Sequence, residues 1–72
     1  MAEIVLGVKE MIPSDHHLEV TNALYKYSGV LEVDINRNGT EIRVRYEPYN
    51  IRADDLKETL QSEGYRVEWV KS

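Results

Sequence analysis

The chain has no cysteine. That absence excludes disulfide staples and thiolate metal sites, two devices by which many small domains supplement a thin core. A basic excess is missing too: thirteen acidic against nine basic residues leave a net charge of −4. A general nucleic-acid binder needs the opposite balance, a basic surface that displaces counterions. Nor is there a long apolar run. The opening Met-Ala-Glu-Ile-Val-Leu-Gly-Val is far too short to insert in a membrane, and it lacks the charged lead-in and cleavage site of a signal peptide. The expected location is cytoplasmic, as a cytosolic chain or a cytosolic domain of a larger protein. Repeats, low-complexity tracts and linkers are missing as well. The 72 residues fit a single domain, 1–72, whose core must draw on the apolar face of every element.

What is present is periodic. Residues 3–8 set Ile4, Leu6 and Val8 on one side and Val5 and Gly7 on the other, the pattern of a half-buried strand. A loop, 9–14, follows, and Ser14 or Asp15 is suited to accept the free N–H groups of a helix start. Val20, Leu24 and Tyr27, with Ala23 beside them, predict a helix of about thirteen residues from near 15, ended by Gly29 in the left-handed conformation. From Val30 the period returns to two. Leu31, Val33 and Ile35 face in, then Ile42, Val44 and Tyr46, with Asn38-Gly39 as a two-residue hairpin turn between them. This register sets Ile35 against Ile42 and Val33 against Val44. It also sets Asp34 against Arg43 and Glu32 against Arg45 on the outer face. Pro48 stops the strand. A second helix runs from about 52 to 63, with Leu56 and Leu60 inward and Asp54 and Asp55 at its positive end. Gly64 closes it, and Tyr65, Val67 and Trp69 alternate inward in a last strand. One architecture buries all these faces together: a ferredoxin-like α+β sandwich, βαββαβ, with two helices on one face of a four-stranded antiparallel sheet.

Val8, Met11, Val20, Ala23-Leu24, Gly29-Val30, Tyr46-Glu47-Pro48, Leu56 and Gly64-Tyr65 fall at intervals that, taken together, are specific. With them the chain resembles the heavy-metal-associated domain family, the small copper and zinc chaperones and the N-terminal domains of metal-pumping P-type ATPases. In that family the first loop reads Gly-Met-x-Cys-x-x-Cys. Counted from Met11 and Val20, the family glycine falls on Glu10 and the two cysteines on Pro13 and His16, so Pro13-Ser14-Asp15-His16 replaces the Cys-x-x-Cys motif. The resemblance implies a noncatalytic role in metal homeostasis, with a metal transporter or another domain of this type as partner. The soft thiolate capture of Cu(I) is not implied, because both sulfurs are gone.

The loop still carries donors. Asp15, His16 and His17 make an imidazole and carboxylate set suited to a divalent transition metal ion: zinc, nickel, cobalt, copper(II) or iron(II). Glu10 is near enough in sequence to reach across the loop. Neutral imidazoles leave the cation's charge uncompensated at the positive end of a helix, which the acidic residues would have to offset. Adjacent helical residues also point about 100° apart, so His16 and His17 need not converge on one ion. His17 shares the stripe of Val20 and Leu24 and has a packing role as its simpler explanation, whereas His16 is expected exposed and Met11 turned inward as a loop plug. An anion at the helix start is a lesser reading, since the glycine-rich loop that wraps phosphate is missing.

Other functions on this topology fit less well. Acylphosphatases cradle phosphate in a first loop that includes an arginine, and Lys9-Glu10-Met11 supplies neither that arginine nor a glycine. No nucleophile stands with a base, so an enzyme is not expected. RNA-recognition modules stack bases on outward aromatics of the central strands, but here those positions are Arg43 and Arg45. The competing reading is a protein-protein interaction or regulatory module that kept the framework and lost the ion. Its available surfaces are the Tyr49 loop, the charged outer face and the sheet edges, one of which could pair with a second copy as a homodimer.

Overall fold

A computed structural model describes residues 1–71. In chain order it holds β1 (Ala2–Val8), a 3-10 turn (Ser14–His16), α1 (His17–Tyr25), β2 (Val30–Ile35), β3 (Glu41–Tyr46), α2 (Ala53–Ser62) and β4 (Val67–Lys71). The strands form one four-stranded sheet in the order β2-β3-β1-β4, every neighbouring pair antiparallel. This is the expected ferredoxin-like sandwich.

The core is the sum of the apolar faces. Ile4, Leu6 and Val8 of β1 meet Ile42, Val44 and Tyr46 of β3, and Val20 and Leu24 of α1 and Leu56 and Leu60 of α2 pack on them. Ile12 and Ile51, which sit in loops outside any periodic run, join the same core at 1% and 4% exposure. The outer sheet face is charged, as expected. Of the two expected cross-strand ion pairs, Glu32–Arg45 closes at 3.8 Å, whereas Arg43 pairs with Glu3 of β1 in place of Asp34: the Glu3 carboxylate lies 3.7 Å from Arg43 Nε and 3.5 Å from Arg45 Nε. These pairs are half-exposed or more and therefore add little to stability.

Two bulges revise the strand faces. Across β2 and β3 the register runs Ile35–Ile42, Asp34–Arg43, Val33–Val44 and Glu32–Arg45 as expected, then shifts so that Val30 meets Tyr46. Leu31 is the extra residue, and it is exposed rather than inward. In β4 the pairing Gly7–Trp69 steps to Val8–Val67, leaving Glu68 as the extra residue. An inserted residue inverts the alternation beyond it. Tyr65 and Val67 therefore pack against the core, but Trp69 lies on the outer face opposite Gly7, contrary to the sequence reading.

Gly7 is what admits that ring. A Cβ at residue 7 would stand 2.0 Å from Trp69 Cε2, so only glycine lets the indole lie against the β1 backbone.

Local endings also differ from expectation. The long α-helix from near 15 is instead the 3-10 turn followed by nine residues of α1, with Pro13 at the N-cap of the turn and no side-chain capping bond from Ser14 or Asp15. Gly29 does not adopt positive φ. Its lack of a side chain serves close approach, since a Cβ there would be 2.9 Å from Asn50 Cβ. Gly64, at φ 97°, closes α2 as expected.

The hairpin turn is wider than two residues. Asn36 N–H donates to Glu41 O, and Gly39 N–H donates to Asn36 O at 3.0 Å. Gly39 takes φ 71°, and Asn36 Oδ1 accepts from the amides of Thr40 and Glu41. Both turn lengths preserve the same register, which is why the strand pairing was legible when the turn was not.

Gly7→Ala is expected to displace the Trp69 ring and lower stability by roughly 1–3 kcal/mol, the usual scale of overpacking. Urea unfolding followed by indole fluorescence reads this directly, and an unchanged midpoint would contradict the placement of the ring.

Candidate functional site

The loop between β1 and α1 is fastened to the hairpin. Val8 N–H donates to Thr40 O at 2.9 Å and Ile12 N–H to Gly39 O at 2.8 Å. Ile12, not Met11, is the inward plug; Met11 is 64% exposed.

The three expected ligands do not all gather at one point. His17 is half-buried, and its Nε2 lies 3.1 Å from Ile12 O. A carbonyl only accepts, so Nε2 carries the proton and is committed to the loop backbone. His16 is exposed and turns the other way, with Nδ1 3.2 Å from Tyr65 Oη. Asp15 is exposed beside it. Among the described residues, no group of three or more His, Asp or Glu side chains is gathered closely enough to hold a metal ion. The two imidazoles diverge, as the helical geometry suggested.

A cleft lies on the His16 side. Glu10, Met11, Pro13, His16, Glu19, Val20, Glu63 and Tyr65 line it. Glu19 is three residues on from His16 and shares its helix face. Glu63 and Tyr65 arrive from the end of α2 and the approach to β4. Sequence reasoning passed over all three. Glu19 was detectable from its spacing, whereas Tyr65 comes from 49 residues away and only the tertiary fold brings it to His16. Burial, followed by the carboxylates of Glu19, Glu63 and Asp15, pushes the Tyr65 phenol above its ordinary value of 10.0. The cleft is thus an acidic surface around one imidazole and one phenol. Apart from the Met11 thioether its donors are hard or borderline, and thiolate is absent from the sequence, so the set lacks the sulfur pair by which the family holds Cu(I).

The fold and this loop define a class: a βαββαβ sandwich with a donor-bearing loop between its first strand and first helix. No family model matches the chain. Among curated relatives, the copper chaperone CopZ of Staphylococcus epidermidis is 27% identical over 67 residues, covering 93% of this chain and 98% of its own. The yeast copper transporter domain solved in its apo and Cu(I)-loaded states is 29% identical, with a TM-score of 0.80 over 92% of this chain and 90% of its own. At 24% identity, which speaks for the fold alone, MerP from Ralstonia metallidurans superposes with a TM-score of 0.84 over 99% of this chain and 97% of its own. These similarities bear out the resemblance to the heavy-metal-associated domain family.

Neutral Tyr65 is favoured by the fold, so the stabilisation it brings is complete below the ordinary phenol value and is lost as pH rises through the raised folded value. Glu19→Gln, which removes the largest of the three charge contributions, is expected to bring the Tyr65 ionisation back toward the ordinary value. An NMR titration of the Tyr65 ring carbon measures it, and an unmoved midpoint would contradict the proximity of Glu19.

Proposed function

We propose that this chain is a noncatalytic metal-homeostasis domain that works in the cytoplasm by docking on a metal transporter or on another domain of heavy-metal-associated type, without carrying Cu(I) on thiolates. The observation that carries this reading is a disagreement inside the molecule. The family framework is kept around the first loop, yet the donors gathered there are one imidazole, one phenol, one thioether and carboxylates, with no cysteine anywhere in the chain. A framework that persists without its soft ligands keeps the surface by which such domains meet one another. Relatives named as a copper chaperone and a copper transporter domain support the choice of partner. Binding to the cytosolic domain of a metal transporter is expected to persist in excess chelator. Its abolition by chelator, in a pull-down or by calorimetry, would contradict docking without an ion.

A second reading is favoured by the cleft itself. A zinc, nickel, cobalt, copper(II) or iron(II) ion would be held weakly at the loop, with His16 as the leading ligand and Asp15 or a cleft carboxylate beside it. His17 would join only by giving up its bond to the Ile12 carbonyl, which makes it the weakest of the three proposed ligands. In an NMR titration with zinc, nickel and copper(II), this reading expects shifts confined to residues 10–19 and 63–65 that His16→Ala removes. Identical shifts in that variant would overturn it.

A further inference from the structure

We propose that β4 is a self-pairing edge: it joins β4 of a second copy of this chain, antiparallel, across a two-fold axis at Val70. The inference stands apart from the loop and from the proposed function.

The sheet has two edges, β2 and β4, and they are not equivalent. In an antiparallel ladder, successive residues present their backbone groups to alternate sides. Asn36 N–H bonds Glu41 O, so on β2 the residues Asn36, Asp34 and Glu32 turn their polar groups to β3 and Val33 turns its own to the open side. There the Tyr25 hydroxyl accepts the Val33 N–H at 3.0 Å. That edge is covered by a side chain from α1, a common way to block strand addition.

The β4 edge follows the same logic with a different result. Val8 N–H bonds Thr40 O on the β3 side, and Lys9 N–H bonds Arg66 O on the other. Gly7 and Val5 therefore face β4, and their partners Trp69 and Lys71 face back. Val70, between them, turns its N–H and C=O to the open edge. The apolar residues at this edge are also uncovered, with Trp69 43% and Val70 45% exposed.

A second β4 complements this edge. A two-fold axis perpendicular to the sheet keeps the faces, so only residues on the same face meet across it. Centred on Val70, it makes a reciprocal pair of Val70 N–H to Val70 O bonds. Val70 then meets its mate on the helix-bearing face, beside Leu6. On the outer face Trp69 of each copy meets Lys71 of the other, a cation over an indole already held flat on Gly7. One strand pair buries well under about 1,000 Å², so association is weak, with a dissociation constant on the order of 0.1–1 mM.

The experiment is a dilution series of the whole chain by sedimentation velocity and by amide NMR, repeated on Val70→Pro and Val70→Lys. Proline removes the outward N–H without touching a bond to β1. Lysine leaves the backbone intact and sets two charges face to face at the axis. A concentration-dependent dimer with shifts at residues 68–71, weakened at least about tenfold by both variants while the remaining spectrum stays folded, is the expected result. A chain that stays monomeric to about 1 mM, a dimer that survives Val70→Lys in folded protein, or shifts centred on residues 10–17 would each overturn the proposal.

Discussion

The hydrogen bond from the Ile12 amide to the Gly39 carbonyl, 2.8 Å long, holds the candidate site of this molecule in place. It exists because Gly39 takes φ 71° and because a Cβ there would fall 2.5 Å from Ile12 O. The same residue is gripped on its other side, where Ile12 O accepts from His17 Nε2 at 3.1 Å, and its side chain is only 1% exposed. Three elements thus meet at one residue: the end of β1, the hairpin tip and the start of α1. In a dithiolate site an ion would itself cross-link the loop to the helix. Here hydrogen bonds and one buried isoleucine make that connection.

That arrangement decides which donors remain available. His17 is spent on the backbone and Met11 is displaced outward by Ile12. His16, set about 100° round the helix from its neighbour, turns to Tyr65 and the carboxylates of Glu19 and Glu63. The result is acidic and oxygen-rich where the family's cysteines would be. A framework similar to that of metal-handling domains and a surface unsuited to soft metal capture coexist in one chain, and the docking function proposed above is compatible with both.

Much of the fold could be read from periodicity. The four strands, two helices and the central hairpin register follow from alternation and from three-and-four spacing, because a core this small depends on every apolar face. Periodicity fails where one residue is inserted. Leu31 and Trp69 were placed inward because nothing in the sequence announces a bulge, and each bulge turns a predicted core residue to solvent. Ile12 and Ile51 were missed for the complementary reason: they are buried by loops, which have no period. At the site, the exposure of His16 and the partial burial of His17 were legible from helical spacing. The Tyr65 contact was not, since it depends on how the end of α2 returns to the loop.

The central claim is that the protein's own contacts, rather than an ion, build the loop. The most direct measurement is amide hydrogen exchange at Ile12 in metal-free protein, with and without added zinc. Protection of Ile12 comparable to that of the β1 amides bonded to β3, unchanged by zinc, is the predicted result. An Ile12 amide that exchanges freely in chelator and becomes protected only when zinc is added would contradict it.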